Sequence, residues 1–229
     1  MILGIDTATD IMAVSLYHQE KVLGEYTTNL KKNHSIRLLP AIDMLMKECQ
    51  VKIADLEKIA VAEGPGSYTG LRIGVSTAKT LAWDLGIPLV GVSSLEIIAS
   101  PGLFFSGKIV PLIDARRDNV YAGVYETADN ELITVKKDQH MALDDLLQSL
   151  PQNGDKYLFI GDISSSFHEK IQGHFGQHAE FAMAENISRA GYLARVAETR
   201  QKADVHSFVP KYLKLAEAES KWLEAGHEK

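Results

Sequence analysis

Residues 60–88 read AVAEGPGSYTGLRIGVSTAKTLAWDLGIP: an apolar run, a glycine-rich loop and about five turns of helix at 3.6 residues per turn. The apolar run predicts a strand, "GIP" stops the helix, and "LVGVSS" starts the next strand. In the loop, Gly64, Gly66 and Gly70 free the backbone just before a helix N-terminus whose unpaired N–H groups attract anions, and Ser67 and Thr69 can cap that helix. Two readings stand: a seat for phosphate, or a tight strand-to-helix turn with a good cap. Neither G-x-x-x-x-G-K-[ST] nor G-x-G-x-x-G is matched, and no lysine follows the glycines, so a P-loop is excluded.

Upstream, "GIDTATD" places Asp6 and Thr7 at the end of a first strand. Asp6 could hold a magnesium-bound water, or the pair could close the turn by side-chain to backbone hydrogen bonds. "MILGID", "MAVSLYH" and "KVLGEYTT" are short β-type runs separated by turn-sized polar stretches, a meander of antiparallel strands. "NHSIRLLPAIDMLMKECQ" then sets Leu38, Leu39, Ile42, Leu45, Met46 and Cys49 at helical spacing, with Asn33 or Ser35 as N-cap and Pro40 requiring a late start or a bend. Strands alternating with helices predict a layered α/β fold.

The helix after the glycine loop carries two stripes. Leu71, Val75, Ala78, Ala82 and Leu85 form a core stripe, and Gly70, Gly74, Thr77 and Leu81 a second one about 80° away. A mid-helix glycine costs about 1 kcal/mol against alanine, so Gly74 needs a compensating close approach. The approaching element is either the helix over residues 33–50 or a partner's helix. Met44 falls on the far side of that first helix, as though an apolar contact waited there, and helices with leftover apolar surface suggest a bundle completed by a partner.

A cluster of glycine, proline and serine in "SPGLFFSGK", residues 100–108, divides the chain into parts 1–102 and 103–229. Beyond it, "KIVPLIDA", "NVYAGVYE", "ELITVKK" and "KYLFIGD" read as strands, and "ALDDLLQSL", "SSSFHEKIQGHF" and "SRAGYLARVAETR" as helices, with no fixed-period repeat. The tail from Lys211 to Lys229 is rich in helix formers, which predicts a terminal helix that either stays with the second part or packs back on the first.

Composition closes off other classes. With 229 residues, 45% of them apolar, the chain can bury a core unaided, and its one cysteine, Cys49, excludes a disulfide framework. A net charge of −6 predicts no general nucleic-acid field. Of eight histidines only His174 and His178 stand at i, i+4, and without an intervening glutamate they do not make a zinc-protease helix; loop histidines in solvent are expected, and no metal site. No serine lies in G-x-S-x-G. "MILGIDTATD" has no basic leader, and no span of about 18 apolar residues occurs, so a cytoplasmic protein without membrane contact is expected.

"MILGIDTATD", "HSIRLLPAID", "AVAEGPGSYTGLRIGVSTAKTLAW" and "IPLVGVSSLEIIA" together closely resemble the TsaB (YeaZ) family, strongly over about the first hundred residues and more weakly in "IDARRDNVYAGVY" and "VPKYLK". The resemblance implies an actin-like, ribonuclease H-like (ASKHA) fold of two α/β subdomains, the second reduced, related to the catalytic subunit TsaD. TsaD-type chains carry an H-x-x-x-H metal pair after the strand matching "IPLVGV"; here Ser94 and Ile98 stand there. "IGD" at residues 160–162 is a poor substitute for the fold's second phosphate clamp.

So the resemblance implies a noncatalytic scaffold with no cofactor of its own, ATP or ADP and metal residing on partner subunits. It would pair with TsaD through the helices 33–50 and 68–85, with Leu38, Ala41, Met44, Leu45, Gly70, Ile73, Gly74, Thr77 and Leu81 at the contact. With the ATPase TsaE, the pair would transfer threonylcarbamoyl to N6 of adenosine 37 in tRNAs reading codons that begin with A. Alone, the chain would form a homodimer through the same surface. Asp6, Thr7, Gly64, Gly66, Ser67 and Thr69 would be a vestigial phosphate loop. The alternative is a small ATP-dependent kinase of the same fold, using Asp6 as base or metal anchor; a glycopeptidase lacks its metal histidines.

Overall fold

The computed structural model describes residues 1–30, 33–182 and 187–214. The meander forms as β1 (Ile2–Asp6), β2 (Ile11–His18) and β3 (Lys21–Asn29). A 3-10 turn at His34–Ile36, capped by Asn33, precedes α1 (Leu38–Glu48), so Pro40 sits in the first helical turn, where no backbone donor is missed. Then come β4 (Lys58–Gly64), α2 (Tyr68–Leu85) and β5 (Leu89–Ser93). Ser67 Oγ accepts from Gly70 N at 3.3 Å to start α2, and Gly86, in the left-handed region at φ 64°, stops it.

These strands form one sheet ordered β3-β2-β1-β4-β5, antiparallel in the meander and parallel from β1 through β4 to β5. A short α3 (Ser94–Ala99) wedges between the sheets. The chain then builds β6 (Lys108–Asp114), β7 (Asn119–Ala128), β8 (Glu131–Ala142), α4 (Leu143–Ser149), β9 (Tyr157–Gly161), α5 (Ser165–Phe175) and β10 (Ala179–Phe181). Their sheet runs β10-β9-β6-β7-β8, with β6 antiparallel to β7 and parallel to β9. Read from the meander end, the two sheets have the same order and the same strand senses: the architecture is a duplication.

Both faces of the first sheet are covered. Leu3, Ile5 and Val14 pack with α1 and α2, while Ala60, Val90 and Val92 pack with α6 (Ala190–Val196). From Ser188 the chain returns to the first sheet, whose other face α6 covers. Residues 203–214 continue as a strap, bridged from Ala203 to Leu89 and from Lys211 N to the carbonyl of Glu63 at 2.6 Å. Residues 211–214 are not helical, and the rest of the expected terminal helix lies outside the described residues. Among the described residues no helix is long and apolar enough to cross a membrane.

Candidate docking face and interdomain cleft

The glycine loop is filled by the chain itself. A Cβ on Gly66 would run into the carbonyl of Ala8, one on Gly70 into that of Thr7, and one on Gly74 into Thr7 Oγ1. Thr7 Oγ1 donates to the carbonyl of Gly70 at 2.8 Å, and Ser67 N donates to Ala8 O at 2.7 Å. The small residues at 70 and 74 thus admit the β1–β2 turn. Both glycines are buried inside this chain, so the structure gives them a contact that is not a partner's helix.

Asp6 is buried, with Oδ1 accepting from Ala8 N at 2.9 Å and Oδ2 from Ser188 Oγ. Burial pushes its carboxyl above the ordinary aspartate range, against the downward pull of those two hydrogen bonds and of His34. Its oxygens close the turn and tie it to the returning segment. His34, expected in solvent, is instead buried, with Nε2 2.8 Å from the carbonyl of Thr9. His168 stacks on Phe181 at 3.9 Å.

Between the subdomains lies a cleft of about 630 Å³. Ser67 and Thr69 line it from the cap and first turn of α2, Asp114 and Arg116 from the end of β6 and the turn after it, and Lys214 from the strap's end. Arg116, Arg117 and Asp118 in that turn all have positive φ, 66°, 54° and 58°. Gly161, in the "IGD" stretch, repeats Gly64: their φ values are 121° and 122°, and Ser164 caps α5 three residues on as Ser67 caps α2. The motif at 160–162 is thus a geometric counterpart of the first loop. Sequence reading singled out the stretch only as a poor substitute for a phosphate clamp, because its likeness to the first loop rests on a single glycine and a serine three residues later.

The helix pair offers a different surface. Leu38, Ala41 and Leu45 belong to the chain's own core and are buried, so they are not free to meet a partner. Ile36, Leu39, Met44 and Tyr68 are 71%, 57%, 46% and 43% exposed. Ile73, Thr77 and Leu81 are half-buried on α2. Ile73 and Thr77 line an open groove of about 540 Å³ with Ser35, Thr69, Arg72 and Ser76. Sequence reading placed Met44 on this outer side and missed Arg72 and Tyr212.

A family model for TsaD, tRNA N6-adenosine threonylcarbamoyltransferase, matches residues 21–222. The tRNA threonylcarbamoyladenosine biosynthesis protein TsaB of Bacillus subtilis is 44% identical over 225 residues, 98% of each chain. The chain belongs to the TsaB family. The Escherichia coli TsaB is 33% identical over 131 residues, 56% of each chain. The solved structure of YeaZ from Pseudomonas aeruginosa superimposes with a TM-score of 0.80 at 25% identity, covering 93% of this chain and 99% of that one. The expected α/β fold with two related sheets is thereby established, as is membership of a family named for threonylcarbamoyladenosine biosynthesis. Ser94 and Ile98 of this TsaB-family chain are both buried, and among the described residues no cluster of three metal-ligating side chains occurs.

Proposed function

We propose that this chain is a noncatalytic scaffold that docks, through the exposed side of α1, its preceding 3-10 turn and α2, on a TsaD-type subunit. With a TsaE-type ATPase the assembly forms N6-threonylcarbamoyladenosine at position 37 of tRNAs that read codons beginning with A. The metal and the nucleotide belong to the partner subunits. When alone, the chain closes the same face as a homodimer.

The observation that carries this reading is the exposed apolar set Ile36, Leu39 and Met44 beside a half-buried α2 groove, since surface of that kind marks an interaction site. Serine and isoleucine at positions 94 and 98 supply no imidazole where TsaD-type chains carry two. Asp6, with both carboxylate oxygens already accepting hydrogen bonds, is a poor metal anchor, which argues against the kinase alternative.

The test is reconstitution: tRNA, threonine, bicarbonate and ATP with the synthase, TsaD and TsaE components, with and without this chain, scored by nucleoside mass spectrometry. Product formation that depends on the chain, with none from the chain alone, is expected. Equal product without it would sink the scaffold reading. Met44→Glu should weaken association with TsaD and with itself while leaving the melting temperature within a few degrees, because Met44 is a surface residue.

A further inference from the structure

Among the described residues, the groove along α2 has a cation and no acid. Arg72 is exposed, yet among the described residues no carboxylate pairs with it. Two tyrosines hold it instead. Its guanidinium carbon lies 4.0 Å above the Tyr68 ring, and its Nε donates to Tyr212 Oη at 3.1 Å. Tyr212 is fixed in turn against Tyr68, the ring centroids 5.0 Å apart.

Tyr212 reaches this place because the strap is pinned along its length. Lys79 Nζ donates to the carbonyls of His206 and Phe208, at 3.1 and 2.7 Å. Gly91 leaves room for the Phe208 ring and Gly64 for the carbonyl of Lys211. The strap thus carries a phenol to the N-terminal turns of α2, more than a hundred residues away in sequence. Binding at Nε fixes the plane of the guanidinium and turns the Nη pair, the end that grips two oxygens at once, away from Tyr212. Around it stand the hydroxyls of Ser35, Thr69, Ser76 and Thr77, donors and not counter-ions.

We propose that this groove receives a carboxylate side chain of the protein that docks on α1 and α2, with Arg72 as the recognition cation and Tyr212 as its positioning residue. The inference rests on the docking reading above and names the chemistry of one of its contacts. A protein carboxylate fits better than a small anion for two reasons. The groove is open and walled by Ile73, and Ile36, one residue from Ser35, is 71% exposed. A lone phosphate would leave that apolar surface uncovered, whereas an acidic residue on an apolar helix would cover it and answer the charge together.

The experiment is calorimetric titration of the purified TsaD-type subunit from the same organism into wild-type, Arg72→Ala, Arg72→Lys, Arg72→Glu and Tyr212→Phe chains, at low and high salt. Arg72→Ala should bind at least about 30-fold more weakly, as expected for truncating one side of a covered charge pair. Arg72→Glu should be weaker still, and Arg72→Lys should recover only part, because an ammonium cannot make the planar fork. Tyr212→Phe keeps the stacking ring and loses the acceptor; about a threefold loss is expected, with wild-type thermal stability. The salt dependence of wild-type binding should shrink in Arg72→Ala. Wild-type affinity in Arg72→Ala overturns the proposal. Partner affinity retained while the isolated chain loses binding of inorganic phosphate or ATP overturns it in favour of a small-anion site. A wild-type chain that binds no partner removes the docking reading and the proposal with it, before any variant is consulted.

Discussion

The two sheets share an order and differ in what they place on it. At the end of β1, Asp6 accepts from the amide two residues on; at the end of β6, Asp114 does the same with Arg116 N, at 2.7 Å. Asp6 is buried and Asp114 exposed. After β4 and β9 the matched glycines and serine caps start α2 and α5, and from there the side chains diverge. Counting from each cap, Gly70, Gly74 and Ala78 of α2 correspond to Phe167, Ile171 and Phe175 of α5. One helix lets a turn press against its backbone, and the other packs large apolar side chains into its sheet's core. The lesson is that the stripe of small residues is explained within the first half: it is the form the helix contact takes when the neighbouring turn comes close.

That comparison is most easily broken at the helices. Gly74→Leu puts a large side chain onto Thr7 and should destabilise the protein by about 3 kcal/mol or more, beyond the usual overpacking range. Ile171→Ala, at the matching position, makes a cavity in place of a clash and should cost about 2–5 kcal/mol. Urea denaturation of both decides it. A Gly74→Leu chain that kept wild-type stability while losing only association would return that glycine to the partner interface.

The turns give a smaller contrast. Asp6→Ala leaves a buried Ala8 amide and the Ser188 hydroxyl without their acceptor, a loss of about 1–3 kcal/mol, and Asp6→Asn, which keeps an acceptor, should lose less. Asp114→Ala, at an exposed turn, should stay within about 0.5–1 kcal/mol. Equal losses at the two aspartates would mean that the returning segment through Ser188 adds nothing to the first turn.

The strand–loop–helix–strand unit at 60–88 was legible because its signals are local: an apolar run, a capping serine three residues before a paired amide, and a stop glycine. The late start of α1 was legible from Pro40 for the same reason. The duplication was not, because equivalent positions share a backbone role without sharing a residue: Gly70 answers Phe167, and Glu63 answers Ile160 at the same distance before the cap. Spacing also differs, since Asp6 and Asp114 are separated by a different interval from Ser67 and Ser164, which defeats a fixed-period search. The docking face was half legible. Met44 stood out from helical phase alone, whereas the occupant of the Gly70 and Gly74 notch comes from sixty-odd residues upstream, and Tyr212 reaches Arg72 from far downstream. Helical periodicity shows which residues share a face; it carries no information about what lies against it.

The least perturbing contrast is the charge in β4. Glu63 is half-buried where its counterpart Ile160 is fully apolar, and burial pushes its carboxyl above the ordinary glutamate range. Lys211 and Arg200 pull it back down, while Asp138 and Glu96 push it further up. A carboxyl held high in the folded state binds its proton more tightly there than in the unfolded chain. The native state is therefore favoured below the ordinary glutamate value of about 4.3, and that advantage fades as pH rises through the raised value. Glu63→Gln removes the titration and keeps the shape. Its stability relative to wild type should improve as pH rises across that window and then stay level towards neutrality, a small change read from urea midpoints at a series of pH values. Parallel curves for the two proteins would show that Lys211 and Arg200 fully compensate the buried charge, leaving Glu63 and Ile160 as two equally tolerated ways of ending the same strand.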